Sequence, residues 1–286
     1  MADVITADTQ LSATKAEIIS AIVQKELASE SVLLATVNDV SAFAVPGASS
    51  ISFPKAGSFT VVNRASGAKA DAQALTFGKD TMNLSYRATV TWLIDAMDEL
   101  QARPDIDAEY IKRATRAHAV YVDDAIITEL ETVGVATTTA GALSDAIILE
   151  MRTALLKRKA DRRNLCLAIS PDDEALMLAI NKFTLAQNYG VLGPANPIQS
   201  GAFGLIYGMP VFITPELASG QYYMYEKDGV SIGFQRQPML DERPAPEYGA
   251  GSKLKTLDQL FGVKGQHIAQ QGVAAGKSAL VQKDNN

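Results

Sequence analysis

The sequence predicts an α+β fold, and three stretches carry that expectation. Residues 81–94 alternate as a long strand with one covered face, residues 108–133 hold a helical period, and residues 143–237 mix both patterns as a compact α/β unit would. The elements follow in order along the chain.

Ala13 to Thr36 predicts a helix, with Ile18, Ile19, Ile22, Val23 and Leu27 on one stripe and Ser12 or Thr14 as cap. Nothing nearby in sequence covers that stripe, so it is expected to lie on the rest of the fold or on another subunit. Ile51–Pro54 and Ser58–Asn63 have strand character, with Pro54 suited to an edge or a strand end. Arg64–Asp71 is small, polar and without period. From Thr81 to Ile94 every even position is apolar: Met82, Leu84, Tyr86, Ala88, Val90, Trp92 and Ile94. Of the odd positions only Leu93 breaks the polar set, which predicts a single strand with one buried face. With Ser58–Asn63 it predicts a two-stranded arm with a loose tip. An isolated hairpin is marginal in water, so the arm needs bracing from elsewhere.

Ala108 to Val133 predicts a helix of about seven turns, with Ile111, Ala114, Ala117, His118, Tyr121, Val122, Ala125, Ile126 and Leu130 in step. Asp105 or Asp107 is placed to cap it. Ser144 or Asp145 opens a second helix to Ala160, with Ile147, Ile148, Met151, Leu155 and Leu156 inward. Asn164–Ser170 predicts a buried strand, and Ser170-Pro171-Asp172-Asp173-Glu174 a helix start with acids in the first turn. That helix is expected to carry Ala175, Leu176, Leu178, Ala179 and Phe183. A Gly-, Pro- and Asn-rich loop follows from Asn188 to Gly204, then short strands at Met209–Ile213, Tyr222–Tyr225 and Ser231–Phe234. Arg243–Pro246 predicts a linker, Ser252–Val263 an extended segment, and the residues beyond Ala274 a loose tail.

Composition removes several function classes. The single cysteine, Cys166, excludes an internal disulfide, and two histidines, His118 and His267, leave little material for a zinc enzyme. A formal charge of -6 argues against a general nucleic-acid binder. No segment approaches about 18 consecutive apolar residues, so no membrane-spanning helix is expected. The first ten residues, with Asp3 and Asp8 and no basic cluster, predict no secretory leader. Phosphate-loop, dinucleotide, nucleophile-elbow and zincin motifs are missing from the sequence. Cys166 falls mid-strand and is expected to be an inert hydrophobe, and His118 a half-buried helix residue. Asp123-Asp124 point different ways on a helix and cannot form a dyad, while Asp172-Asp173-Glu174 suit a helix cap. Lys157, Arg158, Lys159, Arg162 and Arg163 form a basic cluster, read as a solvated helix end or as a contact for an anionic partner.

The order of parts resembles the major capsid protein of tailed double-stranded DNA bacteriophages. Leu143–Ser170 running into Pro171–Leu176 looks like that family's entry into its lobe. Ala202–Ile213 is similar to its loop leading through a Gly-x-Pro turn into a strand, and Leu260–Ala274 to its closing strand and turn. The resemblance implies an α+β capsid fold. Its parts would be an N-terminal arm at 1–50, an extended two-stranded E-loop and following strand at 51–94, and a spine helix of the peripheral (P) domain at 95–141. An axial (A) domain at 142–245 and a returning P-domain strand with tail at 246–286 would complete it. It implies a structural subunit that assembles as hexamers and pentamers into an icosahedral shell around double-stranded DNA, with no catalysis, no cofactor, no metal and no membrane.

On the same implication Arg64, Lys69, Lys79 and Arg87 are intersubunit contacts, and Asn188 and Tyr189 meet neighbours at the capsomer centre. Separate scaffolding and portal proteins are the expected partners, and the virion, built in the host cytoplasm, is the expected location. An encapsulin-like nanocompartment shell and a cytosolic enzyme with a dispersed site are the alternatives.

Overall fold

The computed structural model of the chain describes residues 23, 27, 31–56, 61–64, 66–67, 69, 72–74, 77–95, 106–136, 141–180, 204–265 and 281–283. Its strands are β1 (Asn38–Asp39), β2 (Ser50–Ala56), β3 (Phe77–Asn83), β4 (Tyr86–Ile94), β5 (Val135–Ala136) and β6 (Leu165–Ile169). They continue with β7 (Leu205–Ile206), β8 (Met209–Ile213), β9 (Tyr223–Glu226), β10 (Val230–Pro244), β11 (Lys253–Gly265) and β12 (Val281–Lys283). The helices are α1 (Ile106–Val133), α2 (Asp145–Lys157) and α3 (Pro171–Leu178).

Among the described residues the strands form three sheets: β1-β10-β11-β4, β5-β12-β9-β6-β8-β7, and the pair β2-β3. Helix α1 lies between the first two. Val122, Ala125, Ile126 and Leu130 share one core with Phe234, Phe261 and Val263 of the four-stranded sheet and with Cys166, Ala168, Tyr223 and Tyr225 of the six-stranded sheet. The opposite face of the six-stranded sheet meets α2, where Ile147, Ile148, Met151 and Leu155 pack on Leu165, Leu167, Ile169, Tyr222 and Met224. Covered on both faces, β6 is buried at every position, as an unbroken apolar run predicts. Buried tyrosines need a partner for the hydroxyl. Tyr223 donates to Glu131 Oε2 at 2.7 Å, Tyr222 donates to the Gly141 carbonyl at 3.1 Å, and Tyr225 shares a bond with the Thr36 hydroxyl.

Several sequence expectations are met. Helix α1 spans 28 residues, about 42 Å, with Ile111, Ala114, His118, Val122, Ala125, Ile126 and Leu130 buried on one stripe. Ser170 caps α3, accepting the Asp173 N–H at 3.2 Å and donating to its carboxylate at 2.7 Å, with Pro171 in the first turn. The Tyr207-Gly208 turn joins β7 to β8 with φ of 51° and 79°, the paired left-handed conformation of a tight hairpin.

Other expectations are corrected. The arm is β2 paired with β3, from Ser50↔Asn83 to Ala56↔Phe77. Residues 61–63 are not strand, and Ser58–Thr60 lie outside the described residues. The single strand expected over 81–94 is two strands that part at Leu84-Ser85. β3 pairs with β2, and β4 pairs with β11. Alternation reports which face is covered but not which strand is the neighbour, and both halves keep the even positions inward. The N-terminal helix, described at Val23 and Leu27, where both are helical and buried, does not reach Thr36, because Leu34–Thr36 form a 3-10 turn. The expected short strand at Ser231–Phe234 and linker at Arg243–Pro246 are replaced largely by one strand of 15 residues, β10, paired with β11 rather than within the lobe. Its register slips between Phe234 and Arg236 and between Arg236 and Met239, which lets Pro238, with no N–H to give, sit inside a long strand. Helix α2 stops at Lys157 rather than Ala160, Leu156 is exposed because it lies off the buried Ile148-Met151-Leu155 stripe, and Leu176 and Leu178 of α3 are exposed where Met177 is the buried residue. Phe183, His267 and the Asn188–Phe203 part of the expected loop lie outside the described residues.

Candidate functional site

The arm is the first candidate. Its seven paired positions reach about 24 Å. Among its described side chains burial is found at the base, where Ile51, Met82 and Leu84 pack with Val40, Ala44 and Phe53. Beyond the base, Arg64, Lys69 and Lys79 are exposed, and none has an ion-pair partner among the described residues. Val61 is 96% exposed and Val62 70%, so the distal arm presents valine and cations together. Phe43 and Val45, beside the base, are also exposed. Apolar surface rimmed by charge marks an interaction face.

The base is fastened by side chains that the sequence reading did not single out. Where β10 slips register, the Phe234 N–H donates to Ser41 Oγ at 2.9 Å, and the Gln235 amide donates to the Val45 and Ala48 carbonyls at 2.9 and 2.7 Å. A Cβ on Gly262 of β11 would stand 2.4 Å from the Asn83 carbonyl oxygen, so glycine lets the end of β3 rest directly on β11.

The N-terminal segment is fastened in turn to α1. Asp123, buried, accepts bonds from the Ser31 hydroxyl, the Val32 N–H at 3.0 Å and the Leu33 N–H at 3.2 Å. Burial pushes its carboxyl above the ordinary range, the three donors pull it back, and neighbouring Asp124 adds to the rise. This is an anchoring role and no dyad. An acid in step with Ala119, Ile126 and Leu130 on the apolar stripe is the signal that could have found it.

Arg87, the fourth expected contact residue, lies on β4 and lines a cleft of about 260 Å³ together with Ala88, Thr89, Val90, Ala117, His118 and Tyr121. Arg87 is exposed and lies in a different sheet from Lys79. Asn188 and Tyr189 lie outside the described residues. His118 is buried, not half-buried, at 1% exposure. Its Nε2 lies 3.2 Å from the Leu257 carbonyl, which can only accept, so the hydrogen sits on Nε2 and Nδ1 is left as an acceptor. Gln259 is close enough to favour the charged ring, yet neither of its amide atoms, nor any other described group, bonds Nδ1 in good geometry. Burial dominates and holds the imidazole below its usual range, against the pull of Leu257, Gln259 and Asp258.

A chemical centre does not assemble from these parts. Cys166 is buried and burial pushes its thiol up to about 11, so it is a poor nucleophile near neutrality. Among the described residues no three His, Cys, Asp or Glu side chains come together as metal ligands. No helix among them is long and apolar enough to cross a membrane.

Comparison with known proteins bears on these surfaces. A protein-family model described as phage capsid protein matches residues 90–258, more than half of the chain. No curated protein sequence matches. Among solved structures, a chain from Mycobacterium phage Che8 aligns at TM-score 0.71 and 18% identity, covering 89% of this chain and 91% of its own. A chain from the capsid of cyanophage P-SCSP1u aligns at TM-score 0.66 and 11% identity over 87% and 85%. One from the mature capsid of bacteriophage PhiM1 aligns at TM-score 0.63 and 14% identity over 89% and 86%. At such identities these structures share the fold of the chain.

Proposed function

The chain belongs to the phage capsid protein family, and from that membership we propose that it assembles as hexamers and pentamers into an icosahedral shell enclosing double-stranded DNA. It is a structural shell protein of the virion, with the α+β fold of tailed-phage capsid subunits. The nanocompartment alternative is not favoured, because the family is that of phage capsid proteins and the cyanophage and PhiM1 structures it matches are phage capsids. The family is structural rather than enzymatic, and no catalytic step is assigned.

The family match over 90–258 carries this reading, and the arm supports it. A hairpin that exposes valine and cations beyond its base gains burial when a neighbouring subunit covers it. In this reading the arm is the E-loop and lies across the next subunit, where Arg64, Lys69, Lys79 and Arg87 face its acidic groups. Asn188 and Tyr189 contact neighbours near the capsomer centre. Residues 1–50 serve as N-arm, 51–94 as E-loop, 95–141 as spine and 142–245 as axial domain, with 246–286 as a returning peripheral strand and a tail; the tail is not loose throughout, because Val281–Lys283 pairs with β5 and β9. The pairing of β10 with β11 favours giving 230–244 to the peripheral side. Scaffolding and portal proteins act as separate partners, assembly takes place in the host cytoplasm, and the DNA is enclosed without base readout. Weak contacts repeated around a symmetric shell give it cohesion.

Electron microscopy of the purified full chain tests the reading. Shells or capsomers tens of nanometres across are expected, and a small monodisperse oligomer sinks it. Deleting residues 64–79 should leave the lobe folded by circular dichroism and abolish shells, whereas normal shells from that deletion refute the arm's role.

A further inference from the structure

The lobe carries oppositely charged surfaces at the two ends of one buried strand, and we propose that they join adjacent copies of this chain head to tail around the capsomer. The inference rests on the capsid reading above and adds which surfaces meet.

The basic surface lies where α2 ends and β6 begins. Lys157, Arg162, Arg163 and Lys227 are exposed there, and among the described residues none is within ion-pair distance of a carboxylate. The turn that presents them is braced. Glu226 Oε1 accepts the Asp161 N–H at 3.0 Å, Asp161 Oδ1 accepts the Arg163 N–H at 3.0 Å, and the Lys227 N–H bonds the Asn164 carbonyl at 3.0 Å. Among the described side chains there, Asp161 is the exposed carboxylate against these four exposed cations, so the surface is positive.

The acidic surface lies at the other end of β6, five residues or about 17 Å away. There Ser170 opens α3. Asp173 is buried and committed to Ser170, while Asp172 is exposed and Glu174 half-exposed. One turn further, Leu176 and Leu178 are 43% and 37% exposed on either side of the buried Met177. Among the described residues of this helix Asp173 and Met177 are the buried ones, and leucine beside carboxylate on its remaining face is the composition of a contact surface.

A ring of identical subunits is closed by heterologous contacts, in which each copy uses two different surfaces on two different sides. Surfaces that were alike would repel, whereas these are opposite in sign and separated by the length of the strand between them. Nucleic acid would suit the basic end alone and would leave Asp172, Glu174, Leu176 and Leu178 without a role.

Charge exchange in the full-length chain tests the pairing. Arg162→Glu with Arg163→Glu, and separately Asp172→Lys with Glu174→Lys, should each lower the yield of sedimenting shells about tenfold or more, because each sets like charge against like. Circular dichroism should be unchanged. All four substitutions together should restore shells. The proposal is overturned if either pair alone assembles as the wild type does, or if the folded fourfold variant does not recover. Normal shells that fail only to retain nucleic acid in the arginine variant would give the basic surface to the genome instead, and also overturn it. Should lysine unfold α3, Asp172→Asn with Glu174→Gln decides, since an unchanged yield overturns the pairing. A wild-type chain that forms neither shells nor capsomers fails the capsid reading itself, which separates the two failures.

Discussion

Strand β6 of the lobe is buried at all five positions, with α1 on one face and α2 on the other. The arm hairpin, longer at seven positions per strand, buries Ile51 and Met82 among its described side chains and holds to the molecule through its base. Both are β-structure of ordinary composition. The difference lies in who supplies the covering layer: in the lobe it is the chain itself, and in the arm, on the capsid reading proposed above, it is left to a neighbour. A subunit of this kind folds first and completes its apolar burial on assembly, so damage to the two regions should register in different assays.

Leu167→Ala in β6 should have the largest effect on the subunit. It removes a fully buried side chain from the α2 core at a cost of about 2–5 kcal/mol, read as a fall in melting temperature and soluble yield. Stability close to wild type would mean the lobe is less tightly packed than its burial implies.

Asp123→Ala should follow at about 3 kcal/mol, since it strands two backbone N–H groups and the Ser31 hydroxyl. Asp123→Asn sharpens the point through pH. The Asp123 carboxyl is raised in the fold, so the folded state takes up the proton first and this group's contribution grows as pH falls through its raised value. The asparagine variant should lose that gain in chemical-denaturation curves measured between neutral and acid pH.

Gly262→Ala should cost about 1–3 kcal/mol, because its Cβ meets backbone at Asn83. Gly233→Ala meets the flexible end of Met82 at 2.8 Å and should cost less. Equal effects from the two would show that the arm base gives way as easily as a methionine tip.

His118→Gln should be smaller still and visible mainly in acid. The imidazole is depressed in the fold, so its contribution is full above about 6.5 and is lost as pH falls below that toward its folded value. The variant should flatten that slope in a melting-temperature profile. Last comes Val61→Ser with Val62→Ser, expected within about 0.5 kcal/mol of wild type as a subunit but poorer in shell yield. A large drop in subunit stability would mean that the arm is covered by its own chain after all.

What was legible in the sequence follows from what periodicity encodes. The stripe Ile111–Leu130, the unbroken apolar run of β6 and the Ser170 cap are local signals, and each stands where it was read. Partner choice is not local. The even positions of 81–94 are inward throughout, yet the segment serves two sheets, and nothing in its alternation marks Leu84-Ser85 as the crossing. β10 reads as fragments because Pro238 and Pro244 punctuate it, while its register slips absorb Pro238, and Pro244 falls at the strand's last position. The expected contact residues Arg64, Lys69, Lys79 and Arg87 are all exposed, as surface cations should be. Asp123 and Gln235, which fasten the arms, bond to residues about 90 and 190 positions away, a distance no spacing rule spans.

Only Leu84 and Ser85 separate the arm from the central sheet, and Asn83 rests on Gly262 with no side chain between. The joint therefore has little slack. A push on the arm tip is delivered along covalent backbone into β4 and across the Asn83–Gly262 seat into β11, whose far side carries the Phe261–Val263 contact with α1. The hairpin is a lever with its fulcrum at Gly262, and the long helix is the beam that receives the load.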